Sequence, residues 1–331
     1  MTIVALGCPY CGAPIAPTVA RDMVVCAYCR RTLVGVPAAS WGMALDGEDE
    51  ALDASIDPRR VCTVSGRKYV VKGRLASGES TDVFLAERAG RVVERVVLKV
   101  LRASSDADLV DREWRAVHAL HESDAQGAPF FSMLLPQPVA RGLLAGKRAA
   151  LVYRWRSGFQ YTLDGVVGRY PAGLDPHAAT WMWRRALELL GWVHRSGWVH
   201  GALLPRHVLV HPRDHGVVFC GWSCATRVSQ REALPAMCEA AEAFYPHDVA
   251  SGGAVTPATD VTMIARTIAR VLGGDPVASA LPSSVPAPLR DLVRAHAVGS
   301  ASTDDAWSLK EEVASTAVEC FGPPRYVPFE M

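Results

Sequence analysis

The stretch that most constrains this chain runs from Asp175 to Ala225. Asp175 and Pro176 supply a capping side chain and a first-turn proline where a helix begins, and Gly197 stands where one ends. Between them Met182, Ala186, Leu189 and Val193 recur at helical spacing, which predicts a long helix with one apolar stripe. Its tryptophans then read as packing residues. The chain turns directly into HGALLPRHVLVHPRDHGVVFCGWSCA, residues 200–225, where two short apolar runs enclose a polar turn. A long buried helix, a loop, a tight strand pair and a glycine turn in this order leave few folds open.

Residues 200–225 resemble the catalytic loop and metal-binding turn of eukaryotic-like protein kinases, in which an H-x-D-x-x-x-x-N loop leads through two short strands to D-F-G. In that family the loop Asp positions or deprotonates the acceptor hydroxyl, while the Asn and the second Asp hold magnesium against the phosphates. Aligned on His200 and Pro205, the catalytic Asp becomes Ala202 and the metal-binding Asn becomes His207. Gly221 falls at the metal-binding Asp, with Trp222 and Ser223 completing the turn. The resemblance therefore implies the frame of a phosphotransfer site whose proton-handling and metal-handling groups are degenerate.

The preceding segment extends the likeness. YVVKGRLASGESTDVFLAER, from Tyr69, resembles the glycine-rich kinase hairpin with Gly78 kept and Ala76 and Thr81 at the other two glycine positions. Side chains there hinder the close backbone approach that grips phosphates. RVVERVVLKVLR carries Lys99 in the place of the kinase strand lysine, and Val97 stands where a small residue lies against adenine. A helix over about 106–121 places Leu109, Glu113, Ala116 and Leu120 on one face. A carboxylate in an apolar stripe is costly unless paired, and Lys99 is its natural partner; the alternative is a boundary glutamate and a surface lysine. AALVYRW, residues 149–155, resembles the strand entering the hinge, with Tyr153 at the gatekeeper position and an unusual arginine, Arg154, after it.

Beyond the loop, AFYPHDVAS resembles the kinase A-P-E region, with Asp248 near the acidic position. The usual arginine partner of that acid is expected near residues 302–303, and none is there. A helix starting over Thr256 to Asp260 resembles the one that supports the catalytic loop; Asp260 either bonds that loop's backbone or caps its own helix. A last helix from about Asp304 is expected to bury Trp307, Leu309 and Val313, followed by an extended proline-rich tail lying on the lobe.

Ahead of this body, Cys8-Pro-Tyr-Cys11 and Cys26-Ala-Tyr-Cys29 form two C-x-x-C pairs fourteen residues apart. Two such pairs facing each other make a tetrahedral four-sulfur site, so structural zinc on Cys8, Cys11, Cys26 and Cys29 is favoured over a redox dithiol, iron or a disulfide. A filled four-thiolate shell leaves no open position for catalysis. The module is then either a docking surface or a folded cap with no partner. Residues 37–60, rich in Ala, Asp and Glu, read as an exposed acidic linker.

Charge is balanced, with 35 basic against 34 acidic residues, which gives no electrostatic footprint for non-specific nucleic-acid binding. No apolar run reaches the ~18–20 residues that span a bilayer, and the start lacks the basic flank of a secretory signal. With the remaining cysteines scattered, the cytoplasm is the expected compartment. The sequence therefore predicts an α+β, bilobal protein-kinase-like fold: zinc ribbon over 1–36, acidic linker over 37–60, β-rich N-lobe and hinge over 61–156, and helical C-lobe over 157–331. The leading functional expectation is a pseudokinase that binds protein partners as a scaffold or allosteric regulator, with the ribbon as adaptor. Gly78, Lys99 and Glu113 would support at most weak ATP binding without the usual magnesium ligands. Two other readings stay open: a divergent active protein kinase or small-molecule phosphotransferase, needing Asp214 or Asp248 as substitute ligand, and a zinc-ribbon reader with a structural kinase-like body.

Overall fold

The computed structural model describes residues 23–25, 32–34, 61–88, 93–144, 148–299 and 303–331. Near the N-terminus, strands β1 (Met23–Val25) and β2 (Thr32–Val34) pair antiparallel, Met23 opposite Val34. The four zinc-spaced cysteines and the acidic linker lie outside the described residues.

The next strands are β3 (Val61–Val64), β4 (Arg67–Ser77), β5 (Thr81–Arg88) and β6 (Glu94–Leu101), then, after helices α1 (Ala107–His121) and α2 (Ala128–Phe131), β7 (Pro138–Leu143) and β8 (Ala149–Arg154). They form one antiparallel sheet in the order β3-β4-β5-β6-β8-β7. Its two edges curl towards each other, and the Ser65 hydroxyl after β3 donates to the Arg141 carbonyl of β7. The period-2 pattern accounts for the curl. Tyr69 and Val71 of β4, Val96, Leu98 and Val100 of β6, and Ala150 and Val152 of β8 point into a core enclosed by the sheet. The alternate residues Val97, Lys99 and Tyr153 face the other way, towards a cleft.

The helical half follows: β9 (Tyr161–Thr162), α3 (Leu163–Arg169), α4 (Pro176–Arg195), β10 (Trp198–Val199), β11 (Val208–His211), β12 (Gly216–Phe219), β13 (Thr226–Arg227), α5 (His247–Ala250), α6 (Pro257–Val271), α7 (Ala287–Val298) and α8 (Ala306–Phe321). The central helix is α4. Its N-terminus is capped by Asp175, whose carboxylate accepts from Ala178 N at 3.1 Å. Apolar residues surround it on nearly every face, with Trp183 and Trp192 fully buried alongside Met182, Ala186, Leu189 and Val193. Among the described residues no helix is long and apolar enough to cross a membrane.

Helix α8 departs from expectation at one position. Leu309 and Val313 are buried, but Trp307 is only partly so, because its ring faces two cations, Arg195 at 4.6 Å and Lys310 at 4.1 Å. The tail after α8 lies on the lobe: Tyr326 donates to the Arg213 carbonyl at 3.1 Å and Phe329 is buried near Trp181. His215 is sandwiched between Trp181 and Tyr326, with ring centroids 4.1 and 4.6 Å away. Burial there pushes its pKa down to about 3, so the sandwich holds a neutral imidazole.

Candidate functional site

A cleft of about 380 Å³ lies between the sheet and the helical half, bounded by Val83 and Val97 above and Leu209 and Val218 below. Its inner end is built from β6, α1, β8 and the loop at His200. Lys99, on the cleft side of β6, reaches Glu113 on the buried face of α1, with Nζ–Oε2 2.5 Å. Tyr153 of β8 donates its hydroxyl to the other oxygen, Oε1, at 2.9 Å. Both oxygens of a carboxylate that is 2 % exposed are thereby engaged. Burial first, then the adjacent carboxylate, pushes the Tyr153 phenol well above its ordinary range, keeping it a donor. The sequence pattern pointed to Lys99; the tyrosine's part in the pair came only with the fold.

The loop at His200 is fastened from behind. Asp260 on α6 is fully buried, and its carboxylate accepts from His200 N at 2.7 Å and Gly201 N at 2.8 Å. His194 Nε2 lies 3.0 Å from the same group. Thr256 and Thr259 form the capping box of α6, so Asp260 serves the loop rather than its own helix terminus. His200 Nε2 donates to the Cys220 carbonyl at 3.0 Å, and its Nδ1 accepts from Ala202 N at 3.2 Å. Burial holds its pKa below the ordinary value, which matches this neutral tautomer. Gly201 sits at φ +72°, and a Cβ there would lie 2.8 Å from the Cys224 carbonyl oxygen, so the H-G pair follows from the backbone path.

His207 and Gly221 occupy each other's space. The His207 ring donates from Nδ1 to the Ala202 carbonyl at 2.7 Å. A Cβ built on Gly221 would lie 2.7 Å from Cδ2 of that ring and 2.8 Å from Nε2. Gly221 also has φ +77°, a left-handed conformation. The imidazole therefore fills the volume that a carboxylate side chain at 221 would enter. Desolvation drives the His207 pKa down to about 3 despite the carbonyl partner. Beside it the Cys220 thiol is pushed up to about 12 by burial, which leaves it protonated.

This donor set does not suit magnesium. That ion seeks hard oxygen ligands, commonly carboxylates, whereas the two positions carry a neutral imidazole and a bare glycine. Among the described residues the cleft's carboxylates are Glu79 and Glu113, and no aspartate lines it. Asp214 pairs with His211 and Arg213 at the β11–β12 turn. Asp248, at the start of α5, faces Arg266 instead. Neither substitute carboxylate reaches Lys99.

Gly78 lies in a three-residue turn between β4 and β5, closed by Gly78 N donating to the Thr81 carbonyl at 2.8 Å. Ser77 donates to Asp82 at 2.7 Å, and Arg102 donates to both residues. The Ser77 hydroxyl, ahead of Arg102, holds the Asp82 carboxyl below its usual range. At the tip, Glu79 accepts from the Cys238 thiol at 2.9 Å, and Arg206 Nη2 lies 2.6 Å from the same sulfur. The hairpin is thus a tight, self-braced turn with an acidic tip leaning on the segment before α5.

One structural residue had no sequence signal beyond its helix. The arginine expected near 302–303 is replaced by Arg266 of α6, buried at 8 % exposure. It donates to the carbonyls of Ala297 at 2.8 Å, Ala243 at 3.1 Å and Tyr245 at 2.5 Å, tying the segment before α5 to α7.

No family model and no curated protein matches this sequence. Solved structures do match. Vaccinia related kinase 3 is 15% identical, with a TM-score of 0.57 over 85% of this chain and 97% of that one. The kinase PK-1 of Cydia pomonella granulovirus is also 15% identical, with a TM-score of 0.56 over 72% of this chain and 91% of that one. At that identity the likeness establishes the fold: the chain adopts a protein-kinase-like α+β architecture.

Proposed function

We propose that this protein is a pseudokinase: a kinase-like body that binds protein partners as a scaffold or allosteric regulator and does not transfer phosphoryl groups. The observation that carries the reading is the contact between His207 and Gly221, where an imidazole stands in the space a metal-binding carboxylate would need. Loss of a general base alone costs roughly 10²–10⁴-fold in rate. Loss of the metal ligands removes in addition the electrostatic stabilisation on which phosphoryl transfer depends. Ala202, His207 and Gly221 are the degenerate positions, while Gly78, Lys99 and Glu113 leave room for weak ATP binding without magnesium. In this reading the N-terminal module, with zinc on Cys8, Cys11, Cys26 and Cys29, serves as an adaptor.

The test is incubation of the full chain with labelled ATP, magnesium or manganese, and generic protein acceptors. No transfer is expected, and ATP should raise the melting temperature equally with and without magnesium. Transfer that disappears in Lys99→Met would overturn the reading. An active phosphotransferase is favoured by one observation, the intact Lys99–Glu113 pair, and the same experiment decides between the two.

A further inference from the structure

Among the described residues three thiols line the cleft, and they are not alike. Cys220 and Cys224 flank the glycine turn, and burial pushes both thiols up, Cys220 to about 12. Cys238, in the segment before α5, is only partly buried and sits between two charged side chains from different parts of the fold. Its thiol donates to Glu79 Oε1 at the hairpin tip, at 2.9 Å, and Arg206 Nη2 of the loop at His200 lies 2.6 Å from the sulfur. One sulfur thus ties the sheet, the loop and the segment together at the front of the cleft. Two other free cysteines, Cys62 on β3 and Cys320 on α8, do not line it.

The arrangement around Cys238 favours reaction. A thiol reacts as its thiolate, and here the carboxylate that accepts the S–H bond is placed to take the proton. The guanidinium meets the negative charge left on sulfur. A second thiol stands close behind. Cys224 donates to the Ala236 carbonyl at 3.3 Å, two residues before Cys238. The Tyr245 hydroxyl bonds the Cys238 backbone and lies within electrostatic reach of the Cys224 thiol. A disulfide requires Cα atoms about 4.4–6.8 Å apart. Between Arg227 and Glu239 the chain forms no helix or strand, so Cys238 is free to shift towards Cys224 without unmaking either.

We propose that Cys224 and Cys238 form a peroxide-driven disulfide that releases the hairpin tip from this segment. The Cys238 sulfur takes one oxygen of the peroxide as the O–O bond breaks and becomes a sulfenic acid; the second oxygen leaves as water or an alcohol, carrying the thiol proton. The Cys224 sulfur then displaces hydroxide, which leaves as water with the Cys224 proton, and the S–S bond forms. Two electrons pass from the two thiols to the peroxide. The product has no S–H to give Glu79, and Arg206 loses the sulfur it faces. Both charged groups are then released at the front of the cleft. The proposal does not depend on whether the body transfers phosphate.

The experiment treats the full chain with a small excess of hydrogen peroxide, caps the remaining thiols with N-ethylmaleimide, and maps the unreduced digest by mass spectrometry. A peptide pair joined through Cys224 and Cys238, lighter by two hydrogens and lost on adding dithiothreitol, is expected. Cys238 should be oxidised on the order of tenfold faster than Cys62 or Cys320, and Arg206→Gln should remove most of that lead. Cys224→Ser should leave Cys238 as a sulfenic acid that dimedone traps. Amide exchange across residues 77–81 should speed in the disulfide form and slow again on reduction. Absence of a Cys224–Cys238 bond in the wild-type chain would overturn the proposal, whether or not the variants fold. So would a bond from Cys238 to Cys220 instead, or disulfides confined to Cys8, Cys11, Cys26 and Cys29. Hairpin exchange that ignores the bond would overturn the release of the tip.

Discussion

The two ends of the cleft are built on opposite rules. At the inner end polar groups are spent on one another: Lys99 and Tyr153 on Glu113, His207 on the Ala202 carbonyl, His200 on the Cys220 carbonyl, and the loop amides on Asp260. At the hinge end Trp155, Arg156 and Gln160 keep buried atoms with no hydrogen-bond partner among the described residues. A closed network is rigid and inert, because each group is already held at the geometry it needs. Unanswered buried groups lower stability instead, since each has given up water without a replacement. The inner end keeps the bonded framework of the kinase-like fold, and the hinge end holds buried polar atoms that this framework does not engage.

The contrast can be broken at several points, beginning with the strongest. Asp260→Ala would leave His200 N, Gly201 N and His194 without their shared acceptor in a fully buried site, an expected loss of about 3–5 kcal/mol in urea unfolding. A loss below about 1 kcal/mol would mean the loop holds itself.

The pH dependence comes next. His207 has a folded pKa of about 3 against an ordinary 6.5, so between those values the unfolded chain binds the proton and the folded chain does not. Its contribution is fully present above pH 6.5 and is lost as the pH falls towards 3. Discounted for its partial exposure to the cleft, that amounts to about 2–4 kcal/mol. Urea midpoints at pH 7, 5.5 and 4 should fall steadily, and His207→Asn should flatten part of the slope. His215, together with His200, His177 and His296, all depressed by burial, keeps the rest. An identical slope in the variant would remove His207 from the account.

Gly221→Asp should cost about 2–3 kcal/mol, chiefly through overlap with the His207 ring. Combined with His207→Asn the cost should drop by roughly half, since neighbours sharing one volume are not additive. Full additivity in that double-mutant cycle would show that the two positions do not compete for space. The smallest effect is expected at the hairpin tip. Glu79→Ala should shift stability by less than about 0.5 kcal/mol, because the exposed tip only leans on Cys238. Asp82→Ala should cost more, about 1 kcal/mol, because Ser77 and Arg102 both brace on it. The reverse order would make the tip contact the stronger brace.

Most of the fold was legible because its signals are local or periodic. Asp175, Pro176 and Gly197 mark α4, and the spacing of Leu109, Glu113, Ala116 and Leu120 gives the buried face of α1 before any partner is known. A glutamate inside that stripe called for a cation, and Lys99, at the place of the kinase strand lysine, was its natural partner. What stayed hidden depends on distance in space. Arg266 sits in an apolar helix pattern without announcing which carbonyls it will meet. The substitutions at 207 and 221 read as two separate losses in the chain; only the fold shows that one side chain fills the room left by the other. Trp307 was drawn inward on hydrophobicity alone, and two cations hold it at the boundary.

Helix α1 has a consequence of its own. Glu113 anchors it to the sheet through two bonds, and one residue earlier Arg112 pairs with Glu232 at 2.9 Å, in the segment leading to α5. The helix is thereby braced against both halves, firmly through the buried Glu113 and lightly through the more exposed Arg112 pair. A braced helix presents an outer face whose backbone is already ordered. A face held this way suits the scaffold proposed above, since gripping it orders little that is not already ordered.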